Sequence, residues 1–299
     1  MVLGSPGQML TADVRRAAVL GSPVSHSLSP ALHRAAYLEL GLSAWRYDAC
    51  EVHEPALEGF VAGLGAEWAG LSLTRPLKEA AFAVADDVSD LARETGAVNT
   101  LVRRQDGGWT AYNTDVHGVS AALREAGCVN ATSALVLGSG ATARSVVAAL
   151  AELGAQKVTF VVRSAARPET LEQARRAGLE VDVLDLADLA LVADRVVQTP
   201  LVVSTLPPDS LATDSLATDT PAARLLPAGS RLEDHLVLDV VYAGWPTPLA
   251  RAFEQAGASV VSGFEMLVHQ AAEQVHLMTG LVPPLEAMRA AGRAAMGLR

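Results

Sequence analysis

Lysine is nearly missing from this chain of 299 residues: Lys78 and Lys157 are its only two, and the other 21 of the 23 basic residues are arginines. Cysteine is as rare. Cys50 and Cys128 sit in no CxxC or Cys/His cluster, which excludes a disulfide framework and a structural zinc site and leaves two reduced, structural thiols. No apolar run approaches the roughly 20 residues that span a bilayer. The start "MVLGSPGQMLTADVRR" has no charged segment followed by an apolar core, so the expected location is the cytoplasm. Runs of Lys and Arg are missing too, and the net charge is -10. Nonspecific binding to nucleic acid or to anionic membranes is thereby excluded, and any anionic ligand must be held by local groups.

Half of the residues are hydrophobic, and the length suits two domains with a core each. Residues 1–14 read as a flexible tail. "RAAVLGSP" then reads as a buried strand ending in a turn, and "SPALHRAAYLELGL" as the first clear helix. Strand-like and helix-like segments alternate from there, which predicts an α/β fold of largely parallel strands. From about residue 116 the alternation becomes repeated βαβ winding, through "HGVSAALREAG", "SALVLGSG", "ATARSVVAALAELGA" and "KVTFVVRS". The unit "DSLAT" occurs twice within residues 209–220 and reads as a duplicated surface loop with no assigned function.

In "LVLGSGATARS", residues 135–145, an apolar strand runs through Gly138, Ser139 and Gly140 into a helix. Gly138 permits the tight turn, and Gly140 lets backbone amides approach a pyrophosphate at the positive helix end, so this is a candidate dinucleotide site. The next strand ends in "VVRSAAR". It offers Arg163, Ser164 and Arg167 and no acid, a set that suits a 2′-phosphate and favours NADP over NAD. In "GSPVSHSLSPALH", Ser29 suits the N-cap of a helix beginning at Pro30, while capping leaves Ser27 unexplained. Two hydroxyls and free amides at one helix end suit a small carboxylate. Lys78 lies in "GLSLTRPLKEA"; lysine, unlike arginine, gives up a proton when burial disfavours its charge, although the position also suits a surface residue opening a helix. Asn99 in "TGAVNT", and Asn113, Thr114 and Asp115 in "AYNTDVHG", are compact polar patches that also suit turns and caps.

Taken in this order, the segments resemble the shikimate dehydrogenases over nearly the whole chain. The family pattern G-x-P-x-x-H-S-x-S-P-x-x-H is present as Gly21, Pro23, His26, Ser27, Ser29, Pro30 and His33, and [NS]-x-T-x-P-x-K as Ser72, Thr74, Pro76 and Lys78. "DVVYAGWPTPL" resembles the family's late loop, with Ala243 and Gly244 replacing its usual Asn-Pro. "GFEMLVHQ" resembles G-x-x-M-L-x-x-Q. The resemblance implies Lys78 and Asp115 as catalytic residues and Ser27, Ser29, Thr74, Asn99, Tyr242 and Gln270 as substrate ligands. It implies Gly138, Ser139, Gly140, Ala141, Arg163, Ser164, Arg167, Thr205, Gly263 and Met266 on the NADP side. Val162 stands where the family commonly has asparagine, no metal is implied, and His26 and His33 are read as structural.

The implied organisation is an N-terminal α/β substrate domain with a mixed sheet (1–115), a Rossmann-like doubly wound domain (116–262), and C-terminal helices (263–299) returning to the first domain. The implied activity is reversible, NADP-dependent reduction of 3-dehydroshikimate to shikimate, on the route through chorismate to aromatic amino acids. Lys78 would donate the proton and Asp115 orient it, in a monomer or homodimer without nucleic-acid or membrane partners. Two alternatives remain at this stage: a quinate or quinate/shikimate dehydrogenase using NAD, and a noncatalytic NADP-sensing or substrate-sensing module.

Overall fold

The computed structural model describes residues 14–207, 223–227 and 229–297. The expected tail, apart from Val14, and the DSLAT repeat lie outside the described residues. The N-terminal half carries strands β1 (Arg15–Gly21), β2 (Trp45–Glu51), β3 (Trp68–Leu73), β4 (Asp87–Val88), β5 (Thr100–Arg103) and β6 (Trp109–Tyr112). Its helices are α1 (Ser29–Glu39), α2 (Leu57–Ala62), α3 (Leu77–Ala80), α4 (Asp90–Thr95) and α5 (Asp115–Glu125). Strands β7 (Ser133–Leu137), β8 (Lys157–Val162), β9 (Glu180–Asp185), β10 (Leu201–Ser204), β11 (Leu236–Asp239) and β12 (Ser259–Ser262) follow. They alternate with α6 (Ala141–Glu152), α7 (Pro168–Arg176), α8 (Leu189–Gln198) and α9 (Pro248–Gln255), before α10 (Gly263–Thr279) and α11 (Leu285–Ala295) close the chain.

The second sheet has the order β12-β11-β10-β7-β8-β9 and is parallel throughout. Its central strands β7, β8 and β10 are buried on both faces because helices cover both. Ala134 and Val136 of β7 pack with Val146, Val147 and Leu150 of α6, while Leu135 and Leu137 face Val192 and Val196 of α8 and Phe253 of α9. The order reverses between β7 and β10. In open α/β sheets a crevice for ligands forms at the carboxyl ends of such a strand pair.

The first sheet has the order β2-β1-β3-β5-β6-β4 and is mixed, with β5 antiparallel to β3 and to β6. The short β5 and β6 reverse the chain so that Asn99 and Asn113, at their outer ends, meet on one side: Asn99 N–H donates to the Tyr112 carbonyl at 3.1 Å. The C-terminal helices return to this half. Leu32 and Ala36 of α1 pack with Val268, Ala271 and Val275 of α10 and Met288 of α11. Helix α10 also lies against α5. A Cβ added at Gly118 would come within 2.7 Å of the Met266 carbonyl, so the close approach of the two helices requires glycine there.

His33 is fully buried on α1, stacked on Tyr47 with 3.9 Å between ring centroids. Its Nδ1 lies 2.9 Å from the Ser29 carbonyl, to which it can only donate. Burial pushes its pKa down to about 4, against the raising effect of that hydrogen bond. Between pH 6.5 and about 4 the unfolded chain therefore binds a proton that the folded chain refuses. The associated stability is complete above 6.5 and is lost as pH falls, at up to about 1.4 kcal/mol per unit. Urea unfolding of His33→Gln across this window should show a flatter acid limb than the parent; superimposable limbs would contradict the assignment.

Candidate active site

Polar groups converge in a cleft of about 320 Å3 between the two sheets. Larger hollows beside Tyr37 and beside Cys128 gather no comparable set. Ser27 and Ser29 come from the start of α1, Thr74 from the turn after β3, Lys78 from α3, Asn99 from the entry to β5 and Asp115 from the first turn of α5. Tyr242 follows β11, and Gly263, Met266 and Gln270 belong to α10. Ten of the sequence-predicted residues thus line one cleft, and Gln270 reaches it because α10 returns to the first sheet.

Lys78 Nζ donates to Asp115 Oδ2, and only 15% of the lysine side chain and 7% of the aspartate side chain are exposed. The other aspartate oxygen, Oδ1, accepts from Asn99 Nδ2 at 2.8 Å. The same amide nitrogen reaches Gln270 Oε1 at 3.2 Å. Helix α3 is short, but the Lys78 carbonyl accepts from Val98 N–H at 2.8 Å, which ties it to the "GAVNT" segment. A charged amine and a carboxylate are therefore held side by side, with hydrogen-bonding groups around them.

The two serines differ from the capping expectation. Ser29 is the first residue of α1 and is not its N-cap; the cap position is Leu28, whose backbone is already helical. Ser27 Oγ instead accepts from Ser29 N–H at 3.3 Å. Pro30 is therefore the second helical residue, a position where its missing N–H leaves no helical bond unmade. The late loop is closed by Thr247, whose hydroxyl donates to Asp239 Oδ2 at 2.7 Å and accepts from Ala250 N–H at 3.0 Å, capping α9. Burial pushes the Asp239 carboxyl up, against the lowering by hydrogen bonds with the Thr247 hydroxyl, Val241 N–H and Ser204. At the Ala243–Gly244 departure the turn is made by Gly244, with φ of +69°. Burial also raises the pKa of Tyr242.

The other predicted cofactor residues cluster at the β7–β10 crevice and outside the lining of the cleft. Gly138 has φ of +99°, and a Cβ there would stand 2.7 Å from Thr205 Oγ1, so the turn requires glycine. Thr205 closes on β7, its hydroxyl donating to the Leu137 carbonyl at 2.8 Å. Gly140 is different: nothing lies within 4 Å of where its Cβ would be. The amides of Ala141 and Thr142 precede the first helical bond of α6, from Arg144 N–H to the Gly140 carbonyl, and have no partner within the helix. An open strip beside free amides at a helix N-terminus fits a pyrophosphate. Ser139 Oγ accepts from Arg167 N–H at 3.2 Å, joining the turn to the segment after β8. Arg163 and Ser164 are exposed there. The Arg167 side chain lies 3.5 Å from Glu79 Oε1.

Residues outside the sequence expectation also meet here. Thr142 lines the cleft from the first turn of α6. Arg144, 3% exposed, donates to the Thr95 carbonyl at 2.6 Å, the Gly96 carbonyl at 3.0 Å and Glu79 Oε1 at 2.6 Å, bridging the dinucleotide helix to the residue after Lys78. Its signal in the sequence is a cation near a helix start, where the helix dipole disfavours positive charge.

Comparison with known proteins agrees with this geometry. A model of the shikimate dehydrogenase substrate binding domain matches residues 19–101, and one of the shikimate 5′-dehydrogenase C-terminal domain matches residues 263–291. A shikimate dehydrogenase (NADP(+)) of Synechococcus sp. (strain JA-3-3Ab) is 36% identical over 286 residues, covering 92% of each chain. The crystal structure of a shikimate 5-dehydrogenase from Mycobacterium fortuitum is 45% identical with a TM-score of 0.80, covering 94% of this chain and 99% of that one. That of a shikimate 5-dehydrogenase from Thermus thermophilus in complex with NADP(H) and shikimate is 34% identical with a TM-score of 0.79, covering 94% and 100%.

Proposed function

Since the chain belongs to the shikimate dehydrogenase family, we propose that it catalyses the reversible, NADP-dependent reduction of 3-dehydroshikimate to shikimate. The observation that carries this reading is the Lys78–Asp115 pair, placed in a cleft that also holds two serines at a helix start and is bordered by the dinucleotide half. The β7–β10 crevice would hold NADPH, which when bound would supply the hydride for the ring ketone. Lys78 donates a proton to the developing alkoxide, and Asp115 orients the ammonium and accepts a hydrogen bond from a ring hydroxyl. Ser27 and Ser29 hold the carboxylate, while Thr74, Asn99, Tyr242 and Gln270 fix the ring. Gly138, Ser139, Gly140 and Ala141 take the pyrophosphate, and Arg163, Ser164 and Arg167 surround the 2′-phosphate. Thr205, Gly263 and Met266 border the nicotinamide half. Residues 1–115 form the substrate domain, 116–262 the NADP domain, and 263–299 the returning helices. All of these side chains come from one chain, so the reading holds for a monomer or a homodimer in the cytoplasm.

Shikimate with NADP should generate the reduced-nicotinamide absorbance band; no change would contradict the reading. Ser27→Ala should raise KM for shikimate about tenfold while kcat changes by less than about threefold, because a hydrogen bond to a charged group made equally in ground and transition states is lost. An unchanged KM would remove Ser27 from the carboxylate site.

A further inference from the structure

From the wall of the cleft, which Ser72 and Asn99 line, five buried side chains form a chain of hydrogen bonds that runs in one direction. Thr114 N–H, which can only donate, lies 2.8 Å from one atom of the Asn99 amide and so identifies that atom as Oδ1. The Thr100 hydroxyl donates to the same oxygen at 2.8 Å, so Thr100 must accept from elsewhere, and Gln274 Nε2 supplies that donor at 2.9 Å. Gln274 Oε1 then faces Ser72, whose hydroxyl donates to it at 2.7 Å and accepts from the Tyr47 hydroxyl at 2.6 Å. Beyond Tyr47 stands the Ser29 side chain. None of Tyr47, Ser72, Asn99, Thr100 or Gln274 is more than 4% exposed, so each donor that is lost leaves an acceptor that water does not reach.

We propose that Tyr47, Ser72, Gln274 and Thr100 are positioning residues for the reaction, forming a one-way relay that loads the acceptor side of the Asn99 amide and aims its nitrogen at Asp115. The relay rests on the functional reading above and extends it to residues that do not touch the reacting atoms. With Oδ1 occupied, Nδ2 is left to donate, to Asp115 Oδ1 at 2.8 Å and to Thr114 Oγ1 at 2.9 Å, and the remaining carboxylate oxygen stays on Lys78. Reversal of any one link turns Thr100 away from Asn99 and loosens the amide on which the carboxylate rests.

Replacement of Gln274 separates polarity from packing. In Gln274→Glu the ionised side chain only accepts, which draws the Thr100 hydrogen away from Asn99. The protonated acid has one acceptor and one donor and restores the direction. Relative to the parent at each pH, kcat of Gln274→Glu should be down about tenfold on the alkaline side and recover as pH falls, because burial favours the protonated form. Gln274→Met should be low at every pH. The pair Thr100→Val and Thr100→Ser repeats the test with less disturbance: Val should lose about tenfold in kcat and Ser should stay within about threefold. A pH-independent ratio for Gln274→Glu, or equal kcat for the two Thr100 variants, would overturn the relay. Parent turnover of shikimate with NADP in the same assay separates the two claims: its absence overturns the functional reading and the relay with it, whereas its presence beside unimpaired variants overturns the relay alone.

Discussion

Lys78→Ala is expected to lower kcat by about 10²–10⁴ while shikimate still binds, the range that a positioned proton donor contributes. At about 1.4 kcal/mol per tenfold, this is a loss of roughly 3–5.5 kcal/mol of transition-state stabilisation. Binding survives because the residues proposed to hold the carboxylate and ring are untouched, so Kd for shikimate should change by less than about tenfold. The substitution also strands a carboxylate whose side chain is only 7% exposed, which costs stability, so unfolding must be measured alongside turnover. Asp115 keeps its bond to Asn99 Nδ2 in the variant and is not left without a partner. Lys78→Arg decides between charge and proton transfer. The guanidinium restores the positive charge beside Asp115 but does not deprotonate, so turnover should stay low; recovery in this variant would show that charge alone is needed.

The second large effect is expected at Gly140. Gly138 is required by its own turn, and a side chain there disturbs the fold. Gly140 has ordinary extended backbone, with φ of -81° and ψ of -170°, and open space at its Cβ position. Gly140→Val should therefore leave the unfolding midpoint close to that of the parent while raising Kd for NADP at least about tenfold, because the methyls occupy the strip that the pyrophosphate takes. Calorimetric titration with NADP, paired with thermal unfolding, checks both halves. Unchanged affinity would place the phosphates elsewhere, and a large loss of stability would make Gly140 structural.

The dinucleotide half was legible because its strands are covered on both faces. "ALVL", "VTFVV" and "LVVS" are short, mainly apolar runs, the first two each followed by a turn and a helix, and the structure pairs all three in parallel. The mixed half was less so. β5 and β6 have four residues each and β4 has two, too short for a periodic signal, and their pairing sets the places of Asn99 and Asn113. Within the cleft, the family resemblance named Ser27, Thr74, Lys78, Asn99, Asp115 and Gln270, and the fold brings them together. The start of α1 was misjudged by one residue because Pro30 suits either of the first two helical positions. Tyr47 and Gln274 gave no local signal. Tyr47 reads as an ordinary strand aromatic, and the Ser72–Gln274 bond spans 202 residues, a relation that exists only once α10 has returned to β3.

Lys157, the other lysine, pairs on the surface with Glu180 at 2.5 Å, where 37% of its side chain is exposed, and arginine would serve as well. At position 78 the proposed chemistry needs a cation that can release its proton. Glu79 and Arg144 anchor the adjacent residue to the dinucleotide helix, so the donor and the cofactor share one frame.

The most direct test of the account is kcat/KM for four pairings, shikimate or quinate with NADP or NAD, on one preparation of the protein. Shikimate with NADP is expected to exceed each of the other three by at least about tenfold, the margin over the two NAD pairings coming from the arginines proposed to surround the 2′-phosphate. The highest value for quinate with NAD, or no turnover with any pair, would contradict it.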